Sequence, residues 1–157
     1  MRTVEVSKVV GKDVRTLWRE ITQAEFCSRF VNALRTWKID LDYRIERAKP
    51  VAGADSPSLY LGDSVVLSTR RGKEYMRLRV AESVAPQRYS LVIEPTGRFS
   101  SYMKTTFQLL DLGDERTEVT VTAVVILQIL LLELFSLILP IGWTIRRDLR
   151  RLLKELG

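Results

Sequence analysis

The stretch from Glu118 to Gly157 constrains the fold more than any other part of the chain. It opens as an alternating strand (EVTVTAVVIL), continues as an almost wholly apolar run (LLLELFSLILPIGW) and closes as a basic amphipathic helix (TIRRDLRRLLKEL). An amphipathic helix must bury its apolar stripe, and a sheet with one apolar face must cover that face. Both needs are met if the preceding chain builds a curved antiparallel sheet and the C-terminal helix closes it over an apolar cavity.

The preceding chain has the pattern for such a sheet. Arg2 to Val10 alternates loosely and predicts a first strand, which Gly11 ends. Asp13 is placed to cap a short helix, DVRTLWREITQ, with Val14, Leu17, Trp18 and Ile21 on one face. A second short helix, AEFCSRFVNAL, follows with Phe26, Phe30 and Val31 on a face. From Thr36 the period becomes two: Trp37, Ile39, Leu41, Tyr43 and Ile45 point one way, and charged residues point the other. KPVAGADSPS (Lys49 to Ser58) reads as a loop. Sequential hairpins follow, with turns at Arg71-Gly72-Lys73, Pro86-Gln87, Pro95-Thr96-Gly97 and Leu112-Gly113-Asp114. The inner faces of these strands carry Met76, Leu78 and Val80, then Tyr89, Leu91 and Ile93, then Met103, Thr105, Phe107 and Leu109. The expected class is therefore α+β: one strand, two short helices, a meander that brings the sheet to about seven strands, and a long C-terminal helix. The two short helices look too small to cover the sheet, which leaves the last one. At 157 residues the whole chain, 1–157, fits one domain.

Composition excludes more than it assigns. There is no histidine, which removes Ser–His and Cys–His nucleophilic pairs, His-based iron and zinc sites, and the usual general base near neutral pH. The single cysteine, Cys27, cannot form an intramolecular disulfide or a Cys-rich metal site, so no metal or cofactor is expected and a reducing, cytoplasmic setting is the default. Beside Phe26 it reads as a small core hydrophobe. The opening MRTVEVSKVV lacks the continuous apolar core and small-residue cleavage site of a secretory leader.

The opening strand with the DVRTLW helix, the GDSVVLSTRRGKEYMRLRV hairpin, the TEVTVTAVV strand and the terminal IRRDLRRLLKEL helix resemble the START/Bet v 1-like (SRPBCC) superfamily, in particular its small polyketide cyclase/dehydrase-like members. The resemblance covers essentially the whole chain and implies a helix-grip fold, a bent sheet wrapped around the long helix with an apolar pocket between them. Members bind lipids, sterols, quinones, polyketides or hormones, some are cyclases, and no invariant catalytic motif carries over. The start of the C-terminal segment is more hydrophobic than that pattern.

Two readings stand for the inward aromatic and methionine set Trp37, Tyr43, Met76, Tyr89, Phe99, Met103, Phe107 and Trp143: the walls of a ligand pocket or a packed core. Tyr43, Tyr89 and Thr105 are the polar handles a ligand would use. Glu133, within LLLELFSLIL, is the candidate acid/base if buried, or marks a solvent-facing turn. The function expected is binding or carrying a hydrophobic small molecule; a cyclase- or dehydratase-like enzyme using Glu133 or a tyrosine is the alternative. After Pro140 an apolar stripe of Ile141, Ile145, Leu149, Leu152 and Leu156 faces Arg146, Arg147, Arg150, Arg151 and Lys154. That basic face suits anionic lipid headgroups or plain solvation; nucleic acid is not expected, because no recognition motif accompanies the charge. Residues 130–139 are apolar all round and suit a homodimer or peripheral membrane contact; the run 123–145 is long enough to span a bilayer, but its first residues continue the strand alternation.

Overall fold

A computed structural model describes residues 2–34, 41–49, 56–95, 101–127 and 141–157. The elements are β1 (Arg2–Val10), α1 (Val14–Ile21), α2 (Ala24–Ala33), β2 (Leu41–Glu46), β3 (Ser64–Thr69), β4 (Glu74–Val84), β5 (Arg88–Pro95), β6 (Ser101–Gly113), β7 (Arg116–Leu127) and α3 (Ile141–Leu156). Among the described residues, one antiparallel sheet holds all seven strands in the order β1-β7-β6-β5-β4-β3-β2. Strands β2 to β7 form the meander expected from the turn spacing. The first strand closes onto the last, with Val4 opposite Ala123 and Val10 opposite Thr117. This curved sheet with its C-terminal helix is an α+β helix-grip architecture.

Local chemistry sets the elements. The Asp13 carboxylate accepts the Arg15 N–H at 3.2 Å and starts α1. At the other end the Thr22 N–H and hydroxyl both donate to the Trp18 carbonyl, at 3.1 and 2.7 Å, and close the last turn. The β6–β7 turn puts Gly113, Asp114 and Glu115 in the left-handed region (φ +78, +53 and +56), and the Asp111 carboxylate receives the Gly113 N–H at 2.9 Å.

The sheet sorts its two faces by parity. The concave side buries Val4, Val6, Val65, Leu67, Leu78, Val80, Leu91, Phe107, Val119 and Val121. The convex side carries ion pairs, Arg77 with Glu46 and Glu74, Arg79 with Glu94 and Arg88 with Glu82, laid over the buried Val66 and Val92. The β4 alternation breaks between Val80 and Glu82, where the register with β5 shifts.

Two features differ from the sequence reading. The short helices are not minor: α2 buries Ala24, Phe26, Cys27, Phe30, Val31 and Ala33, and both helices lie against the sheet. Close spacing of small and aromatic residues lets α2 bury more than one stripe, so these helices share the concave face with α3. Helix α3 itself lies along β1 and touches α2. It buries Leu149, Leu152, Leu153 and Leu156, a wider face than the expected stripe.

Candidate functional site

The register orders the concave face into rows running across the strands. The central row joins Val80, Leu91, Thr105, Ala123 and Val4. Its Thr, Ala and Val members are small, so the middle of the concave surface is shallowly filled. The row beyond it, toward the start of β1, joins Val65, Leu78, Ile93, Met103 and Val125. The row on the opposite side carries Tyr89, Phe107, Val121 and Val6.

The side chains change in kind along this axis. Around Tyr89 and Phe107 the face is closed by aromatic rings. Phe26 and Phe30 approach Phe107 edge-on at 5.5 and 5.8 Å, and Trp18 meets Tyr89 at 5.8 Å in a T-shaped pair. Partly buried apolar side chains pack against the core at both margins: Trp18 beside Tyr89, and Met76 and Met103 toward the start of β1, where Val65, Leu78, Ile93 and Val125 are buried. The concave face is thus aromatic at the Tyr89 end and lined by aliphatic and methionine side chains at the other.

Two polar atoms interrupt this apolar environment. The Tyr89 hydroxyl and the Thr105 hydroxyl are fully buried and have no hydrogen-bond partner among the described residues. An unbonded hydroxyl in such surroundings costs about 1–3 kcal/mol, so a native protein that keeps two on adjacent strands is under-bonded there. Burial, reinforced by nearby Cys27 and Asp63, raises the Tyr89 phenol above its ordinary range, so it stays a neutral donor. Burial likewise pushes the Cys27 thiol up to about 12, which leaves it an inert core group.

Five residues of the expected ligand-binding set come together: Met76, Tyr89, Met103, Thr105 and Phe107 lie on the concave side of the contiguous strands β4, β5 and β6. Two do not join them. Tyr43 has the right parity, opposite Leu67, but is 45% exposed because β2 is an edge strand with sheet on one side only. Trp143 is 63% exposed and stacks on the Arg147 guanidinium at 5.4 Å, on the basic side of α3. Trp37, Phe99 and the acid/base candidate Glu133 lie outside the described residues, as does the 130–139 segment.

The sequence reading missed a buried ion pair that fixes the loop beside this face. Asp63, 2% exposed, accepts the Arg47 guanidinium and the Tyr60 N–H at 2.9 Å each, and the Ala48 N–H at 3.0 Å. Arg47 also donates to the Ser58 carbonyl at 2.6 Å and to that of Ser56. The loop is tied to the α1–α2 junction by Leu59 N–H to Thr22 O (2.8 Å) and Ala24 N–H to Pro57 O (2.9 Å). Gly62 (φ +87) permits the approach, since a Cβ there would stand 3.0 Å from that of Ala48. A lone acid directly before a β-rich run was the only signal for this.

Among the described residues no group of three or more Cys, Asp or Glu is placed to hold a metal, and no helix is long and apolar enough to cross a membrane.

No family model matches the chain, and no curated protein does. Solved structures match its fold. A Mesorhizobium loti protein is 15% identical with a TM-score of 0.58, covering 99% of both chains. A Nitrosospira multiformis protein is 17% identical with a TM-score of 0.57, over 99% of this chain and 97% of that one. A conserved protein of Geobacillus kaustophilus is 16% identical with a TM-score of 0.56, over 99% and 95%. These likenesses place the described architecture among helix-grip proteins at the level of fold.

Proposed function

We propose that this protein binds and carries a hydrophobic small molecule bearing at least one polar group, of lipid, polyketide or isoprenoid-like character, between the concave face of the sheet and the C-terminal helix. The observation that carries the reading is the pair of buried, unbonded hydroxyls of Tyr89 and Thr105, on adjacent strands of the concave face beside small side chains. An apolar ligand body gains roughly 25 cal/mol per Å² of surface removed from water. A carbonyl or hydroxyl on that body would complete the two hydroxyls and set its orientation. The described concave face offers hydrogen-bond donors and acceptors but no free base: Asp63 is committed to Arg47 and two backbone N–H groups, and histidine is absent.

Native mass spectrometry of the purified protein, followed by solvent extraction, tests the proposal. The expected result is a stoichiometric adduct with an extractable apolar compound, or saturable uptake of a fluorescent fatty acid by the stripped monomer. A monomer with no adduct and no saturable uptake of fatty acid, isoprenoid alcohol or aromatic polyketide would overturn it.

A further inference from the structure

The outward face of α3 carries a second, unassigned surface. Trp143, Arg146, Arg147, Arg150, Arg151 and Lys154 follow the i, i+3, i+4, i+7, i+8, i+11 spacing and therefore form one stripe. At 1.5 Å per residue the stripe is about 17 Å long. The six side chains outline a shallow basin of about 340 Å³. With five basic and two acidic residues, α3 holds +3 of the chain's net charge of +6. One of those acids, Asp148, is buried beneath the stripe and pairs with Arg147 at 3.1 Å and Arg151 at 3.8 Å. Arg146, Arg150 and Lys154 have no ion-pair partner among the described residues. On the convex sheet face Arg44, Arg77, Arg79 and Arg88 are paired. Three unpaired cations thus share one helix face.

We infer that this stripe docks the protein on an anionic lipid bilayer. Charge complementarity gives the sign of the partner, and Trp143 selects among anions. An indole at the head of a cationic stripe is poorly placed in water but suits the headgroup level of a bilayer, where its ring is buried and its N–H stays wet. The same cations would meet duplex phosphates, so duplex DNA is the competing partner that the test includes. Orientation adds a consequence. Gly142 lies against Val4 and Gly157 against Val10, so α3 runs alongside β1 in the same direction. Arg2 at the start of β1 is opposite Val125, which is opposite Met103. Trp143 therefore sits beside the β1 edge at the level of Val4, and docking brings that edge of the sheet to the bilayer from which an apolar cargo would be drawn. Only this last step rests on the carrier reading; docking itself is tested without cargo.

Sedimentation with vesicles of phosphatidylcholine alone and of equal parts phosphatidylcholine and phosphatidylglycerol provides the test. Binding is expected to the anionic vesicles only, and to weaken as salt shortens the screening length. Each cation near an anionic surface strengthens partition about fivefold, so Arg146→Ala/Arg150→Ala/Lys154→Ala lowers it roughly a hundredfold. The charge-matched variant Arg44→Ala/Arg79→Ala/Arg88→Ala leaves it near the wild-type value, and Trp143→Ala weakens it with no change in net charge. Equal loss in the two triple variants, or binding to duplex DNA without preference for anionic vesicles, overturns the inference. Fatty-acid uptake in vesicle-free buffer is read on the same proteins, so intact uptake with lost docking separates failure here from failure of the carrier proposal.

Discussion

On the carrier proposal, Tyr89 and Thr105 would couple stability to binding at the scale of single atoms. Removing an unbonded buried hydroxyl removes its desolvation cost, so Thr105→Val raises the unfolding free energy of the ligand-free protein by about 1 kcal/mol. The same change lowers affinity for a polar-headed ligand by roughly fivefold to tenfold, because a bond of about 1 kcal/mol is lost. Urea denaturation paired with ligand titration reads both signs; a variant that loses stability and keeps affinity would show that the hydroxyl is bonded within the fold. The Arg47–Asp63 pair behaves oppositely. Burial works to raise the Asp63 carboxyl, but the N–H groups of Tyr60 and Ala48 and the Arg47 guanidinium outweigh it and hold the carboxyl below its ordinary range. Asp63→Asn leaves Arg47 unpaired in a largely buried setting and costs about 3 kcal/mol. A depressed folded pKa contributes stability above the unfolded value, about 3.9, and loses it as pH falls through the folded one. The wild-type advantage over Asp63→Asn is therefore full near pH 6 and shrinks below about pH 4; a pH-independent difference would remove the carboxylate's charge from the account.

Elements were legible in the sequence wherever one period dominated. From β3 to β7 the inward residues recur with period two apart from the shifts at Leu67/Ser68 and Val80/Glu82, and the structure buries Tyr89, Leu91, Ile93, Thr105 and Phe107 on one side. What parity does not encode is how far the cover extends. Tyr43 points to the correct side of an edge strand and still meets solvent. Helix α2 buries more than its single amphipathic face because α1, α3 and the sheet surround it, a tertiary fact with no local signature. In α3 the signal was present but incompletely used. Asp148 lies three residues after Ile145 and four before Leu152, on the apolar side, and it is buried with Arg147 and Arg151 closing over it. Leu153 widens that side. Its loss should therefore cost as much as that of the stripe residues: Leu153→Ala destabilises by about 2–5 kcal/mol, whereas Arg150→Ala on the outer face stays within about 0.5 kcal/mol. Equal effects of the two substitutions in urea denaturation would mean that α3 is not seated on β1 through this face.

On the scale of the whole molecule, charge and apolar surface are distributed to different sides. The convex sheet face pairs Arg44, Arg77, Arg79 and Arg88 with carboxylates and links hydroxyls across strands, as in Ser7–Thr120 at 3.0 Å and Ser90–Thr106 at 2.9 Å. The concave face gathers the apolar rows, and α3 separates them from the unpaired cations on its outer surface. Tyr89 and Thr105 lie on neighbouring strands in the middle of the sheet, so a ligand that bonds them holds the meander from β4 to β7 together with α3. Binding only the folded state, at a free concentration about a hundredfold above its Kd, adds about 2.7 kcal/mol of stability. For a domain of this size each kcal/mol moves Tm by about 2–4 °C, so saturation raises Tm by roughly 8 °C. Because Thr105→Val begins more stable and binds more weakly, its ligand-free Tm is higher and its ligand-induced shift smaller at the same concentration. Calorimetry of the two proteins with and without ligand tests this crossing. Parallel shifts in both would place the ligand elsewhere on the molecule, since only a ligand that engages the central row distinguishes the hydroxyl from the methyl that replaces it.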